Sequence, residues 1–407
     1  MRILFISDNF PPEVNAPASR LYEHASRWVR DGAEVTVITC APNFPQGRVH
    51  EGYTNAWRSV EDVDGIRVVR VKSYITSNAG FARRIADYVS FMFSSFFFGL
   101  FEKRPDVVVG TSPQFFAAVS AWMLSVAKWR PFVFELRDLW PASIVTVGAM
   151  RRGFVIRMLE KLELFLYRRA RLIVSVTESF KRDLIERGID GDKIAVVRNG
   201  VDLSRYQPQE KSVEMASELG VQGKLVVAYL GTHGMAHALD NVLDAADRLR
   251  ARDDICFLLV GDGARKQSLV ERAAEMQLDN VVFHASLPKQ RMPDLWSICD
   301  VALVHLKDDP VFETVIPSKI FEAFGMAKPV MIVQPRGEAV SIVEAHQAGG
   351  WVAPGDPAAL ADELIAWTDD ADKMAQMSKA AAEAAAEHSR ERLAGEMLDL
   401  MKSELSP

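Results

Sequence analysis

The chain has 407 residues, which is more than one hydrophobic core usually serves, so we expect two domains. Its hydrophobic share of 49% and charged share of 25% are typical of a globular protein and exclude a disordered chain. A net charge of -6 does not supply the basic face that nucleic-acid binding requires, so no nucleic-acid partner is expected.

The cysteines and the start of the chain bear on its location. Cys40, Cys256 and Cys299 are far apart and lack the Cys/His spacing of a zinc site, which predicts reduced core residues and no metal site. The run from Met1 to Asp8 is too short for a signal peptide and predicts a first buried strand. We therefore expect a cytoplasmic protein.

In the first half of the chain, short apolar runs alternate with helical patterns, as in parallel sheets covered by helices on both faces. The first helical pattern places Leu21, Ala25 and Trp28 on one face, with Pro17 near its start and Gly32 past its end. The chain is therefore predicted to begin with a βαβ unit. The predicted strands of this half are 2–6, 34–39, 67–71, 106–110, 132–136, 172–176 and 194–197.

The pattern breaks near Asn199-Gly-Val-Asp202, where a polar connector follows, and a second alternating series then begins. Its predicted strands are 225–230, 256–260, 281–284, 300–306 and 330–333. We predict an α/β fold of two doubly wound Rossmann-like domains, 1–205 and 206–371, with a ligand cleft beyond the carboxyl ends of their strands. The Ala- and Glu-rich segment 372–407 is expected to return to the first domain as helix.

Two loops of the second domain are candidates for phosphate binding. Gly231-Thr232-His233-Gly234 follows its first strand, and glycines there let backbone N–H groups approach a phosphate. Such glycines are equally common as plain turn residues, and His233 and His237 are more often loop or cap residues than catalysts. Arg265 and Lys266 begin a predicted helix, where a cation opposes the helix dipole by up to about 1 kcal/mol unless an anion binds; solvated side chains are the alternative.

The most informative segment is 312–330. Pro317 and Ser318 predict a helix start, with Lys319 in the first turn and Glu322 one turn later on the same side. An ammonium there can neutralise a leaving diphosphate, and a carboxylate can accept both hydroxyls of a ribose. The alternative is an ordinary ion pair worth a few tenths of a kcal/mol.

Three loops of the first domain are expected to face the cleft. They contain Asn15 and Ala16, Thr111 and Ser112, and Arg137 and Asp138. Asp138 is the best candidate for contacting a sugar hydroxyl, although an Asp before a helix is as often an N-cap. Arg137 is its partner or a phosphate contact.

Short motifs are spread over nearly the whole chain: Phe10-Pro-Pro-Glu13, Gly32-Ala-Glu-Val-Thr-Val-Ile-Thr39, Ala41-Pro-Asn-Phe-Pro45, Thr111-Ser-Pro113, Arg137-Asp-Leu-Trp-Pro141, Asn199-Gly-Val-Asp202, Gly261-Asp-Gly263 and Pro317-Ser-Lys319. Together they resemble glycosyltransferase family 4, a family of retaining enzymes. Within it the chain is most similar to bacterial enzymes of O-antigen and capsule assembly that transfer N-acetylated amino sugars such as N-acetylfucosamine.

The resemblance implies the GT-B fold, metal-independent catalysis with retention, a UDP-sugar as co-substrate without another cofactor, and a lipid-linked saccharide acceptor in surface polysaccharide biosynthesis. It also implies that the second domain binds the donor. By position, Lys319 with Arg265 or Lys266 would hold the diphosphate, and Glu322 the ribose. The implied catalytic residues are Asp138, Lys319 and Glu313.

The chain departs from the family pattern at three places. The family's paired acids lie eight positions apart, but Thr314 stands eight before Glu322 and Glu313 one residue further. Thr232, His233 and His237 stand where Arg and Lys are usual. Asn15-Ala16 replaces a Gly-Gly pair.

Two segments predict contact with a membrane surface. Residues 88–101 are uncharged and aromatic, follow Arg83-Arg84, and are shorter than the roughly 20 residues needed to span a bilayer. We expect 83–101 to lie in the interface, joined by the basic amphipathic segment 151–171, which places the protein peripherally on the inner face of the cell membrane. A buried core helix is an equal alternative for the aromatic segment.

Two other functions are compatible with paired doubly wound domains. A nucleotide-dependent dehydrogenase is disfavoured because no GxGxxG follows a strand, and Lys266 stands where the last glycine would fall after Gly261 and Gly263. A non-catalytic sugar-nucleotide-binding scaffold subunit is the other alternative, because the first acid of the pair is missing.

Overall fold

The computed structural model describes residues 1–13, 15–44, 46–76, 81–141 and 153–405. Its contacts divide the chain into two compact units, Met1–Arg198 with Arg390–Pro407, and Asn199–Ser389. The predicted boundary lay at 205/206, and the predicted return to the first domain began at 372. The chain instead enters the second unit at Asn199 and returns at Arg390.

The first unit is built on a sheet in the order β3-β4-β2-β1-β5-β6-β7-β8. Every neighbouring pair is parallel except β3 and β4, which pair antiparallel at one edge. The described strands are β1 (Arg2–Ile6), β2 (Glu34–Cys40), β3 (Arg58–Val63), β4 (Ile66–Val71), β5 (Val107–Thr111), β6 (Phe132–Leu136), β7 (Leu172–Ser175) and β8 (Ile194–Val196).

Helices cover both faces of this sheet, and the first shows why they form. Asn15 caps it by accepting a hydrogen bond from Ala18 N at 2.9 Å, and Leu21, Ala25 and Trp28 are buried on one face as predicted. Trp28 Nε1 also donates to the carbonyl of Ala394, which fixes the returning C-terminal helix. The described helices are α1 (Ala16–Arg30), α2 (Phe81–Gly99), α3 (Phe115–Lys128), α4 (Phe154–Arg169), α5 (Glu178–Glu186) and the returning α14 (Arg390–Leu405).

The second unit is built on a sheet whose neighbouring strands are all parallel, in the order β11-β10-β9-β12-β13-β14. The strands are β9 (Leu225–Leu230), β10 (Ile255–Val260), β11 (Val281–His284), β12 (Val301–His305), β13 (Val330–Val333) and β14 (Gly349–Val352). The helices are α6 (Val213–Glu218), α7 (Asp240–Arg248), α8 (Lys266–Glu275), α9 (Met292–Ser297), α10 (Lys319–Gly325), α11 (Glu338–Ala345), α12 (Pro357–Thr368) and α13 (Ala371–Glu387).

The alanine-rich helix α13 belongs to the second unit, contrary to the prediction that it returns to the first. Ala381, Ala384 and Ala385 are buried in one cluster with Phe321 and Phe324 of α10. Small side chains let the two helices approach closely, which a sequence rich in Ala and Glu indicates only weakly. Only α14 returns.

A buried ion pair ties three elements of the first unit together. Arg20 of α1 donates through Nε to Glu135 of β6 at 2.9 Å, and both side chains are at least nine-tenths buried. The same guanidinium donates to the carbonyls of Val197 and Arg198, where the chain leaves the unit. Burial alone would raise the pKa of Glu135, but Arg20 and Arg137 hold it below its usual value. Glu135 is therefore ionised at neutral pH, and its ion pair with Arg20 stabilises the buried charge.

We predict that Arg20→Met lowers the free energy of unfolding of this unit by about 3 kcal/mol, because it leaves Glu135 buried without its counter-charge. The matched control is Arg30→Met in the same helix, whose ion pair with Glu391 is more than half exposed and should contribute less than about 1 kcal/mol. Urea unfolding of both variants measures the difference. Equal losses would contradict the role assigned to the buried pair.

Candidate functional site

The loops after β9 and β10 are in backbone contact at the carboxyl edge of the second sheet. Gly231, Gly261 and Gly263 have φ values of 150°, 154° and 157°, which favour glycine. A Cβ at Gly261 would lie 1.8 Å from the carbonyl oxygen of Gly231, and one at Gly263 would lie 2.4 Å from that of His233. These glycines therefore let the two loops pack together. This structural role is additional to the predicted one, in which glycines let backbone N–H groups approach a phosphate.

Lys319 projects into this edge of the sheet from the first position of α10, after Ser318 at the N-cap. Its Nζ lies 3.9 Å from the ring centroid of Tyr229 in β9 and packs against Gly231, where an added Cβ would stand 2.8 Å away. Among the described residues, no carboxylate lies within the 4 Å that defines an ion pair with this ammonium. Burial lowers the pKa of Lys319 to about 8, and Glu322 opposes the shift.

Three imidazoles lie close enough to Lys319 for its charge to act on them. Burial, with a smaller contribution from the charge of Lys319, lowers the pKa of His233, His237 and His305 to about 4. Both ring nitrogens of His233 and His305, and Nδ1 of His237, form no hydrogen bond of normal geometry with the described residues. All three rings are neutral at pH 7, so they add polarity to the site without a second positive charge.

Glu322 lies one turn after Lys319 and is held by a tryptophan. Trp296 is buried, and its Nε1 donates to Glu322 Oε2 at 3.3 Å. The ordinary ion pair between Lys319 and Glu322 considered above is not formed among the described residues within 4 Å. The Lys319 ammonium and the Glu322 carboxylate do not bind each other. The first can therefore contact a diphosphate while the second accepts hydrogen bonds from the hydroxyls of a ribose ring.

Arg265 and Lys266 begin α8 as predicted, but each has partners within the protein. Arg265 forms a bidentate pair with Asp240 at 3.0 and 3.1 Å. Lys266 Nζ donates to the carbonyls of Gly261 and His284 at 2.8 and 2.9 Å. An anionic ligand is therefore not needed to explain these cations, and their observed contacts fix the loop after β10.

Glu313 lies in a 3₁₀ turn that spans Pro310–Thr314, and a backbone contact holds this turn in place. Its carbonyl packs against Gly337, where an added Cβ would stand only 1.9 Å away, while the Glu313 residue is exposed. Thr314 Oγ1 donates to the carbonyl of Val311 at 3.1 Å. The structure thus leaves the Glu313 carboxylate, rather than the Thr314 hydroxyl, on the surface of this turn.

In the first unit, Ser112 brings the residues after β5 and β6 together. Its Oγ accepts hydrogen bonds from the backbone N–H groups of Arg137 and Asp138 at 2.8 and 3.1 Å. Thr111 Oγ1 donates to the carbonyl of Ser112 at 3.0 Å. Burial lowers the pKa of Arg137 to about 10, despite the neighbouring Glu135. These four predicted residues form one cluster.

The other predicted residues have local roles or exposed positions. Asn15 caps α1, which begins at Ala16, and its Nδ2 donates to Asn9 Oδ1 at 2.5 Å. In the second unit, Thr232 is exposed, Gly234 precedes a 3₁₀ turn that carries His237, and Pro317 precedes the cap of α10. The part of the chain that the structure describes contains no group of three or more His, Cys, Asp or Glu side chains able to hold a metal.

Two residues beside Lys319 were missed by the sequence analysis. Tyr229 and His305 lie inside the predicted strands 225–230 and 300–306, where a buried side chain is normally part of the core. A polar residue at the carboxyl end of a parallel strand is the signal that could have identified both, because ligands bind at that edge.

Two family models match the chain: a glycosyl transferase 4-like domain over residues 15–200, and glycosyl transferases group 1 over residues 211–384. The chain is 27% identical to the putative colanic acid biosynthesis glycosyl transferase WcaI of Escherichia coli K12, over 79% of this chain and 80% of that protein. It is 26% identical to the probable glycosyltransferase WbjE of Pseudomonas aeruginosa, over 64% of this chain and 65% of that protein, which is less than two thirds of its length.

A solved structure matches the chain over nearly its whole length. HepE of Anabaena, in complex with UDP, has a TM-score of 0.70 and 18% identity, over 99% of this chain and 100% of that chain. At this identity the likeness shows the fold alone. The predicted fold of two doubly wound Rossmann-like domains, the GT-B fold, is confirmed.

We predict that affinity for a UDP-sugar, whose diphosphate diester does not titrate in this range, is constant from pH 6.5 to 7.5 and falls above about pH 8, by up to tenfold per pH unit, because Lys319 loses its charge there. The pKa of Lys319 is lowered by burial, and a diphosphate favours its charged form, so binding above pH 8 takes up a proton. Calorimetry in two buffers of different ionisation enthalpy measures this uptake. Lys319→Ala should abolish it, and an unchanged uptake in that variant would contradict the assignment.

Proposed function

We propose that the chain is a family 4 glycosyltransferase and that it transfers a sugar from a UDP-sugar to a lipid-linked saccharide during surface polysaccharide biosynthesis. The observation that carries the proposal is the ammonium of Lys319, which lies at the carboxyl edge of the second sheet without a carboxylate partner among the described residues. An anionic group at this edge would supply the missing counter-charge. The relative named for colanic acid biosynthesis supports the process.

In this proposal, Lys319 contacts the diphosphate of the donor and Glu322 accepts the hydroxyls of its ribose. Charge grows on the diphosphate as the sugar–phosphate bond breaks, so the contact with Lys319 strengthens in the transition state and lowers its energy. The rings of His233, His237 and His305 are neutral, so they add no positive charge beside this ammonium. The UDP and UDP-glucose complexes of HepE support a uridine diphosphate donor.

We further propose that the reaction retains the configuration at the anomeric carbon and needs no metal or other cofactor. The acceptor hydroxyl attacks from the face that UDP leaves, and the leaving phosphate accepts its proton. The charge that a metal would otherwise neutralise is assigned to Lys319. An N-acetylated amino sugar is the proposed donor sugar, on the strength of the motifs that the chain shares with such transferases.

For the first unit, we propose that Asp138 contacts a sugar hydroxyl. The Ser112 hydroxyl holds the backbone of Arg137 and Asp138, so the orientation of this segment is fixed before a ligand binds. Glu313, exposed beside the segment that leads to α10, is assigned the place of the family's first acid.

We predict that the protein binds UDP in preference to GDP, ADP and NAD, and that Lys319→Ala and Glu322→Ala each weaken UDP binding at least tenfold. The expected loss corresponds to one charge-assisted hydrogen bond, about 1.5 to 3 kcal/mol. Titration calorimetry measures both affinities. Lys328→Ala is the matched control, because that ammonium donates to the carbonyl of Ser297 and has no proposed ligand role.

Preference for NAD, or UDP binding that is indifferent to both changes, would contradict the proposed donor site. Turnover separates an enzyme from a sugar-nucleotide-binding scaffold. An enzyme releases UDP from a UDP-N-acetylamino sugar in the presence of lipid-linked acceptor, and Lys319→Ala should reduce that rate by 100-fold or more at saturating donor. Binding without any release of UDP across a panel of donors and acceptors would favour the scaffold.

A further inference from the structure

Helix α2 is apolar on two faces, and the sheet covers only one of them. Phe91, Met92, Phe96 and Phe98 pack into the core of the first unit. On the other side, the aromatic side chains Phe93, Phe97 and Phe101 follow one another at helical spacing and are 58%, 54% and 70% exposed. Core packing accounts for the first face alone. A helix that is apolar all round normally has a second apolar neighbour.

The C-terminal end of α3 extends this exposed face. Lys128 Nζ donates to the carbonyls of Leu100 and Glu102 at 3.0 and 2.8 Å, which holds the ends of α2 and α3 side by side. Trp129, the residue that ends α3, is 84% exposed. We define the aromatic patch as the exposed residues Phe93, Phe97, Leu100, Phe101, Val126 and Trp129.

Cations without carboxylate partners border the aromatic patch. Lys103 and Arg104 are exposed, Arg130 is half-buried, and none forms an ion pair with the described residues. The neighbouring acids in the chain have other partners: Glu102 is held by Arg58 at 2.8 Å and Arg67 at 2.9 Å, and Asp106 accepts from the backbone N–H of Arg2 at 2.7 Å. The border of the patch therefore carries uncompensated positive charge.

We propose that the aromatic patch, with Lys103, Arg104 and Arg130, binds the surface of an anionic lipid bilayer. Aromatic side chains partition into the headgroup region, and cations beside them contact lipid phosphates. The inference rests on the proposed function in one respect: membrane binding holds the enzyme where a lipid-linked acceptor is found. In the described part of the chain, no helix meets the length and hydropathy needed to cross a membrane.

A second copy of the chain fits the patch less well than a lipid surface. A symmetric dimer buries the same patch from both copies, which would bring two sets of Lys103, Arg104 and Arg130 into one interface with no acid among the patch residues. An anionic bilayer supplies the opposite charge to all three. Charge complementarity therefore favours lipid.

The proposed contact keeps the C-terminal part of the predicted segment 83–101, adds residues at the end of α3, and does not use the predicted segment 151–171. Arg151 and Arg152 of the predicted segment 151–171, and the side chain of Arg84, lie outside the described residues. Helix α2 ends at the edge of the sheet where β5 begins. The exposed aromatic residues lie at this end, so the adjoining cations are Lys103 and Arg104, and not Arg83 at the start of the helix. Phe154 and Met158 of α4 are also exposed, but they lie at the opposite end of the helix layer, because α4 runs toward the start of β7.

The test is flotation of the full chain with vesicles of phosphatidylglycerol and phosphatidylcholine. We expect the wild type to float and the variant Phe97→Ser/Phe101→Ser/Trp129→Ser to lose about 100-fold or more in partition coefficient. The matched control Phe154→Ser/Met158→Ser removes exposed apolar side chains of the same helix layer and should float like the wild type. Lys103→Gln/Arg104→Gln should lose about tenfold on anionic vesicles and little on neutral ones.

Failure of the wild type to float, or equal losses in the patch variant and the α4 control, would overturn the proposal. So would a wild-type dimer in sedimentation that the patch variant abolishes, if flotation is absent, since a second copy would then cover the patch. UDP titration of the patch variant keeps the two proposals separate. Unchanged UDP affinity with lost flotation supports the patch, whereas absent UDP binding in the wild type contradicts the donor site alone.

Discussion

Burial of an ammonium favours its neutral form unless negative charge lies nearby, and Lys319 is placed under that constraint. Its surroundings at the edge of the second sheet are an aromatic ring, a glycine backbone and three neutral imidazoles. Burial lowers its pKa to about 8, so the charge persists at neutral pH but is weakly held. The proposed diphosphate ligand would stabilise this charge, which would link its affinity to the protonation of Lys319.

The loops around Lys319 are held by backbone packing and by two cations at the start of α8. Gly261 and Gly263 allow the loop after β10 to touch the loop after β9. Lys266 and Arg265 hold the loop after β10 against neighbouring segments. Of these two cations, Lys266 donates to backbone carbonyls and Arg265 pairs with the carboxylate of Asp240. In the proposed function, Lys319 is therefore the cation assigned to the donor diphosphate.

The buried strands could be predicted from the sequence because each is a short apolar run, and β1, β6, β9, β11 and β13 have the predicted bounds. Strand β3 was missed because it is polar and exposed at the sheet edge, and β14 because it begins with two glycines. Lys319 and Glu322 could be placed from helix spacing. The partners of Arg265, the ring of Tyr229 beside Lys319 and the exposure of Trp129 depend on tertiary contacts, which no local pattern contains.

A crystal structure of the chain with UDP tests the central claim most directly. The account predicts that the β-phosphate lies about 3 Å from Lys319 Nζ and that the ribose hydroxyls donate to Glu322. His233, His237 and His305 should line the same pocket. UDP bound beside Arg265 and Lys266, with Lys319 still packed on Tyr229 and touching no phosphate, would contradict it.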